Sequence, residues 1–228
     1  MIVSIHQPNY LPWIGLFDKI KHSEIFVLMD DVQFPRGKKH FGHRNLIKTN
    51  AGSKWLTIPL LNKSKLLSFN EIEINNNGWN KKHCDLIKQF YINSKYFSLY
   101  YDDLESILMN EKHKTLLSLG EQLIRWGMDK FGINNTKILY SSNLAKECVG
   151  QERIEKILLE TKATKYISGT GPGSMKYIDK DRFSKLKIDL EWQYYKHPIY
   201  KQLHGEFLPY MSFIDLLFNE GINSKNIL

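Results

Sequence analysis

Residues 2–29 read IVSIHQPNYLPWIGLFDKIKHSEIFVLM, and this stretch decides the fold. At its two ends, IVSI (2–5) and IFVLM (25–29) are short apolar runs rich in β-branched residues, the pattern of buried strands. Between them LPWIGLFDKIKHS sets Trp13, Ile14, Phe17 and Ile20 at helical intervals, although Gly15 weakens the propensity. Strand, helix and strand within roughly thirty residues make a βαβ unit. The two strands are therefore expected to be parallel neighbours. The first runs directly into His6, Gln7, Asn9 and Tyr10, with Pro8 and Pro12 fixing the backbone among them. That is more hydrogen-bonding capacity than a plain connection needs.

Working outward, WLTIPL (55–60) and EIEI (71–74) read as further strands, separated by the polar NKSKLLSFN. From Trp79 to about Gly132 the pattern becomes helical: LIKQFYI, DLESILM and LLSLGEQLIRWGMDKFG repeat apolar residues every three or four positions. KILYSS (137–142) returns as a strand, QERIEKILLETKA (151–163) as a helix and KYISG (165–169) as a strand. IDLEWQYY (188–195) is read as a strand and SFIDLLFN (212–219) as a closing helix. The expected fold class is α/β, a mixed, mostly parallel sheet with flanking helices. It forms a single domain over 1–228 with a helical insertion, or sub-lobe, at 79–132. No internal repeat and no low-complexity linker interrupts the chain.

Composition supports one domain. A chain of 228 residues that is 42% hydrophobic and 13% aromatic can bury a sizeable core. No run approaches the ~18 apolar residues of a spanning helix, and no basic segment followed by an apolar one opens the chain. Membrane insertion and a signal peptide are therefore not expected. Two cysteines, Cys84 and Cys148, make no disulfide framework, and no CxxC or Cys/His cluster signals a metal. The expected compartment is a reducing cytoplasm. The net charge of +8 comes from lysines dispersed along the chain, often alternating with Asn, as in NKSK (62–65). No arginine stripe with interleaved aromatics marks a nucleic-acid platform, so the charge is read as solvated surface with a local share for phosphate.

Three stretches carry chemistry. DDVQFPRGKKHFGHRN (30–45) begins where IFVLM ends, at the carboxyl edge where open α/β sheets bind ligands. It supplies Asp30, Asp31, Gln33, Arg36, His40, His43, Arg44 and Asn45. HQPNY leaves the carboxyl end of the preceding strand, so Asp30, Asp31, Gln33, Arg44 and Asn45 are expected to line one pocket with His6. SGTGPGS (168–174) follows a strand, and Gly169, Gly171 and Gly173 allow close backbone approach and exposed amides for phosphate. It matches neither GxGxxG nor a Walker A loop.

Each stretch has a plainer reading too. A histidine beside proline also serves to hold a loop through one ring nitrogen. An aspartate pair after a strand also starts turns or caps helices. A tight connection also uses glycines. Ser141, Ser142 and GQE (150–152) resemble a helix start, which makes Gln151 and Glu152 capping residues. Cys148, just before that start, is read as structural filler, the alternative being a thiol activated by the helix N-terminus. No GxSxG elbow and no HExxH is present.

HQPNYLPWIGLFDKI resembles the HQPxYxPxxGxF opening of the WbqC-like family. DDVQF followed by HRNLI is similar to its second signature, an aspartate pair and Gln-aromatic leading to an Arg-Asn pair. WLTIPL, GQERI, YISGTGPGSMKY, YKQ and FLPYMSFIDLLFNEG match the remaining landmarks in order, across nearly the whole chain. One departure is HFGH at 40–43, where relatives often carry a tryptophan before the Arg-Asn pair.

The resemblance implies a role in O-antigen or other surface-glycan (lipopolysaccharide) synthesis. The implied reaction is N-acylation of a nucleotide-linked amino sugar by an acyl thioester, with coenzyme A or acyl carrier protein as donor and no permanently bound cofactor. For that chemistry His6 is the expected base, with Asp31 and His43 as the alternatives. Gln7, Asn9 or backbone amides would supply oxyanion donors, and Tyr10 belongs to the same loop. Arg36 and Arg44 are the cations for diphosphates. A non-catalytic module binding a nucleotide sugar or sugar phosphate is the alternative. A metal-dependent glycosyltransferase would need a DxD arrangement, which DDVQ is not.

Overall fold

The computed structural model describes residues 1–35, 40–62, 66–171, 174–175 and 178–228. Arg36 and Gly173 lie outside the described residues. In chain order the strands are β1 (Ile2–His6), β2 (Ile25–Leu28), β3 (Arg44–Thr49), β4 (Gly52–Thr57), β5 (Lys137–Tyr140), β6 (Lys165–Gly169) and β7 (Asp189–Gln193). The longer helices are α1 (Ile14–Lys21), α2 (Trp79–Tyr91), α3 (Phe97–Met109), α4 (Leu116–Phe131) and α5 (Gly150–Glu160). The chain divides into two compact units. One comprises Met1–Gln7, Asp18–Asp31 and Ile133–Lys196; the other comprises Pro8–Phe17, Val32–Gly132 and His197–Leu228.

The first unit holds a five-stranded sheet in the order β5-β2-β1-β6-β7, every pairing parallel. Strands buried on both faces read as continuous apolar runs, which is why IVSI and IFVL were legible. Val3, Ile5 and Val27 pack with Ile157 and Leu158 of α5 and with Phe183 of the short helix Lys180–Lys185. On the opposite face Ser23 Oγ donates to the Lys19 carbonyl at 2.8 Å and accepts from Ser4 Oγ at 2.7 Å, fastening the end of α1 to β1. Helices therefore cover both faces. The strand order has a functional consequence. The chain leaves β1 toward β2 and leaves β6 toward β7, in opposite directions, so the carboxyl ends of β1 and β6 mark the switch point, the place where open α/β sheets bind ligands.

The second unit is built differently. β3 and β4 form an antiparallel hairpin in register from Arg44↔Thr57 to Thr49↔Gly52. The amphipathic α2, α3 and α4 and the helix Phe213–Glu220 supply the apolar core. Phe17 packs against Phe131 and Phe213 with ring centroids 5.0 and 4.8 Å apart. Gly127 of α4 is required there, because a Cβ at that position would stand 2.3 Å from the Phe17 ring. Asp215, fully buried, accepts from Tyr91 Oη at 2.8 Å, Tyr200 Oη at 2.8 Å and Gln202 Nε2 at 2.7 Å. Burial raises its pKa, and these donors only partly offset the rise.

Three expectations need correction. EIEI (71–74) is no ladder strand: Ile74 bridges Leu60 and Glu73 bridges Thr115, singly. Its backbone groups are divided among Ser68, Leu61, Lys114 and Leu116, so alternation marked two differently buried faces rather than a sheet partner. WLTIPL (55–60) holds only the end of its strand, which runs Gly52–Thr57. Gln151 and Glu152 do not cap α5, whose start at Val149 has no side-chain cap. Instead the Gln151 amide grips Asp179, donating to its carbonyl at 3.1 Å and accepting from its N–H at 2.8 Å.

Candidate functional site

His6 is the last residue of the central strand β1, at the switch point between β1 and β6. Its Nδ1 lies 2.8 Å from the Gln7 carbonyl, an acceptor only, so Nδ1 carries the proton in the neutral ring. The lone pair is therefore on Nε2, which has no hydrogen-bond partner among the described residues. Burial, then the field of Lys19, lowers the His6 pKa to about 4 against the pull of the Gln7 carbonyl. At neutral pH the imidazole is uncharged and able to accept a proton. The Gln7 side chain also makes no hydrogen bond among the described residues.

Lys19 reaches the same edge from α1. It is 4% exposed, and a Cβ added to Gly169, the last residue of β6, would stand 3.2 Å from its Nζ. Among the described residues nothing stands within 4 Å of a Cβ added to Gly171. The neighbouring Asp18 carboxylate is engaged elsewhere, accepting from Gln193 Nε2 at 2.6 Å and lying 3.3 Å from His22 Nδ1. Burial lowers the Lys19 pKa to about 8, with Asp18 pulling weakly upward.

The end of β2 is a closed polar knot. Asp30 accepts from the Ser142 N–H at 2.9 Å and lies 3.1 Å from Ser141 Oγ. Asp31 accepts from Ser141 Oγ and pairs with Arg153 Nη2 at 2.6 Å. Burial pushes the Asp31 pKa up, but the Arg153 and Ser141 bonds outweigh it and hold the carboxyl below its ordinary range. Arg153 also donates to the Ser141 carbonyl at 3.0 Å, tying α5 to the end of β5. An aspartate held this way is a weaker base than His6.

The remaining sequence candidates belong to the second unit. Tyr10 is buried, its Oη donating to His83 Nδ1 at 2.8 Å. Asn45 is fully buried; its Nδ2 donates to the Leu11 carbonyl at 2.5 Å and its Oδ1 accepts from the Leu46 N–H at 2.8 Å. Asn9 is buried, and its amide has no hydrogen bond among the described residues. Gln33 is exposed and bridges Ser68. His43 packs edge-on to Phe34 and tilted against His40, at 5.4 and 4.9 Å.

Arg44 lies over the Trp55 ring at 4.2 Å. An aromatic partner for the arginine thus comes from β4 rather than from the HFGH segment. Trp55 also lines a cleft of about 440 Å³ with Trp79, Lys54, Lys82 and His83. Aromatic faces beside lysines suit a flat anionic ligand.

Sequence reasoning missed Lys19, Arg153, Trp55 and His83. For Lys19 a signal existed: it follows Leu16 by three residues on α1, a helical position facing the apolar side. The other three look like ordinary surface or core residues until the fold brings them into place.

The geometry defines an α/β protein with a five-stranded parallel sheet and His6 and Lys19 near its switch point. The WbqC-like protein family matches residues 7–227, and the chain belongs to that family. It is 33% identical over 228 residues to the uncharacterized protein Rv1507c of Mycobacterium tuberculosis, an alignment covering 99% of this chain and 96% of the relative. No solved structure gives a significant match. Among the described residues no helix is long and apolar enough to cross a membrane.

Proposed function

We propose that this protein transfers an acyl group from a thioester to the amine of a nucleotide-linked amino sugar, a step of surface-polysaccharide synthesis. The observation that carries the reading is the His6 imidazole, uncharged, with its Nε2 lone pair free at the switch point. The amine nitrogen attacks the thioester carbonyl, and the C–N bond forms as negative charge collects on oxygen. The nitrogen becomes acidic in that step, so a base of low pKa suffices to take its proton. The C–S bond then breaks, and the imidazolium returns the proton to the departing thiolate. Gln7, at the end of β1 beside His6, is the donor for the oxyanion.

Direct attack needs no acyl-enzyme, which leaves Cys148, whose thiol donates to Glu152 at 3.9 Å, outside the chemistry. Both substrates are products of cytoplasmic metabolism, which places the reaction in that compartment. The test is a screen of nucleotide-linked amino sugars against acyl thioesters of coenzyme A and acyl carrier protein, read by thiol release and product mass. Amino-sugar-dependent thiol release is the expected result. Nucleotide-sugar binding without release from any donor would replace the reading with a non-catalytic binding module.

A further inference from the structure

Lys19 poses a problem that the base chemistry does not use. A buried ammonium is costly unless something pairs with it. Here it is 4% exposed, and among the described residues no hydrogen bond or ion pair reaches its Nζ. Among the described residues the carboxylate whose field reaches it is that of Asp18, which is held by Gln193 and His22. The ammonium instead stands against the backbone of Gly169, where a Cβ would come within 3.2 Å, and no described residue stands within 4 Å of a Cβ placed on Gly171. It is also at the topological switch point, between the carboxyl ends of β1 and β6. The missing counter-charge is therefore expected from a ligand that enters where the glycines leave the backbone bare.

We propose that Lys19 and the Gly169–Gly171 backbone form an anion site for a phosphate group of the substrate. The identity of the ligand rests on the acyl-transfer reading; the anion site itself does not. Two substrates of that reaction carry diphosphates, the nucleotide sugar and coenzyme A, and the same chemistry recognises both. Lys19 is a binding residue here, and glycine at 169 gives its ammonium room.

The experiment compares wild type with Lys19→Met, which keeps length and removes charge. Pyrophosphate should raise the melting temperature of wild type and leave that of the variant unmoved. Without ligand the variant should melt at or above wild type at pH 7, because it no longer buries an unpaired charge. Calorimetric titration with uridine diphosphate and with coenzyme A then assigns the source: the ligand whose phosphate sits on Lys19 should lose at least about tenfold in affinity. A variant that retains the pyrophosphate shift overturns the proposal, and all the more if it melts lower, as a structural lysine would. Should Lys19→Met fail to fold, Gly169→Ala decides, since it keeps the charge and crowds the ammonium. Weaker pyrophosphate binding at an unchanged melting temperature supports the site, and unchanged binding overturns it. These readouts need no turnover, so a failed acyl-transfer screen leaves them standing, and a failed anion site leaves that screen untouched.

Discussion

His6 in the sheet unit and His83 in the second unit have the same pKa, about 4, for the same leading cause, burial. They differ in what remains free. His83 accepts from Tyr10 Oη and is bonded to the Thr57 carbonyl, so both ring nitrogens are taken. His6 has one nitrogen on the Gln7 carbonyl and the other open. The lysines repeat the contrast. Lys48, 1% exposed, donates its ammonium to the Gly205 and Glu206 carbonyls, whereas Lys19 has no such partner among the described residues. A shifted pKa alone does not mark a working group. An unfilled hydrogen-bonding valence at a sheet edge does, because a native interior otherwise pairs its polar groups.

Four substitutions or conditions test this contrast. The largest effect is expected at His6. His6→Asn should lower the acyl-transfer rate by about 10²–10⁴-fold with nucleotide-sugar affinity and melting temperature little changed. The wild-type rate should be flat with respect to His6 from pH 5 to 7, its limb lying near pH 4. A rate within fivefold of wild type at equal binding would move the base to another residue.

His83 should instead report on stability. Its folded pKa of about 4 lies below the ordinary 6.5, so between those values the unfolded chain binds a proton that the folded one does not. Stability is then full above pH 6.5 and falls as pH drops through 4, by about 3 kcal/mol from this residue. His83→Gln, measured by urea unfolding at pH 7 and 4.5, should show a shallower pH dependence. An unchanged slope would mean that the ring is not buried neutral.

Asp215→Asn should cost about 2 kcal/mol, because an amide cannot accept from Tyr91, Tyr200 and Gln202 together. Equal urea midpoints would show that the network adds nothing to the core. Smallest of all, Cys148→Ala should leave turnover within a few-fold of wild type. An acyl group trapped on Cys148 in a mass spectrum would require a covalent intermediate and ping-pong kinetics.

β1 and β2 could be read in the sequence because strands covered on both faces are apolar runs, whereas edge strand β7, DLEWQ, showed only as an alternation of apolar and polar residues. RNLIKT could not be read: β3 opens with two polar residues and carries a lysine mid-strand, and only the structure shows Lys48 capped by carbonyls. His6 was legible as a histidine held between a strand and Pro8. Lys19 gave a weaker signal, its place on the apolar side of α1, because a charged residue there is ordinarily a side chain reaching solvent. Asn45 gave a motif signal whose side chain proves to clamp the Leu11 carbonyl. Sequence shows which groups are polar; it does not show which stay unpaired after folding.

The sheet unit is assembled from three separated stretches of chain, and this sets the order in which it can form. β1 and β2 meet early, joined by α1. The other edge of β1 must wait for β6, and the N-terminal ammonium of Met1 reaches Thr164 Oγ1, 163 positions away, at 2.9 Å. Closing a loop of that length costs about 4–5 kcal/mol of chain entropy before the pairing returns anything. A growing chain therefore carries its central strand with one edge open, exposed to mispairing, until β6 has been synthesised. The switch point between β1 and β6 comes into being only with that pairing. A ligand there should accordingly recognise finished molecules alone, and its binding should speed the slow final closure only if the closing strands already lie side by side.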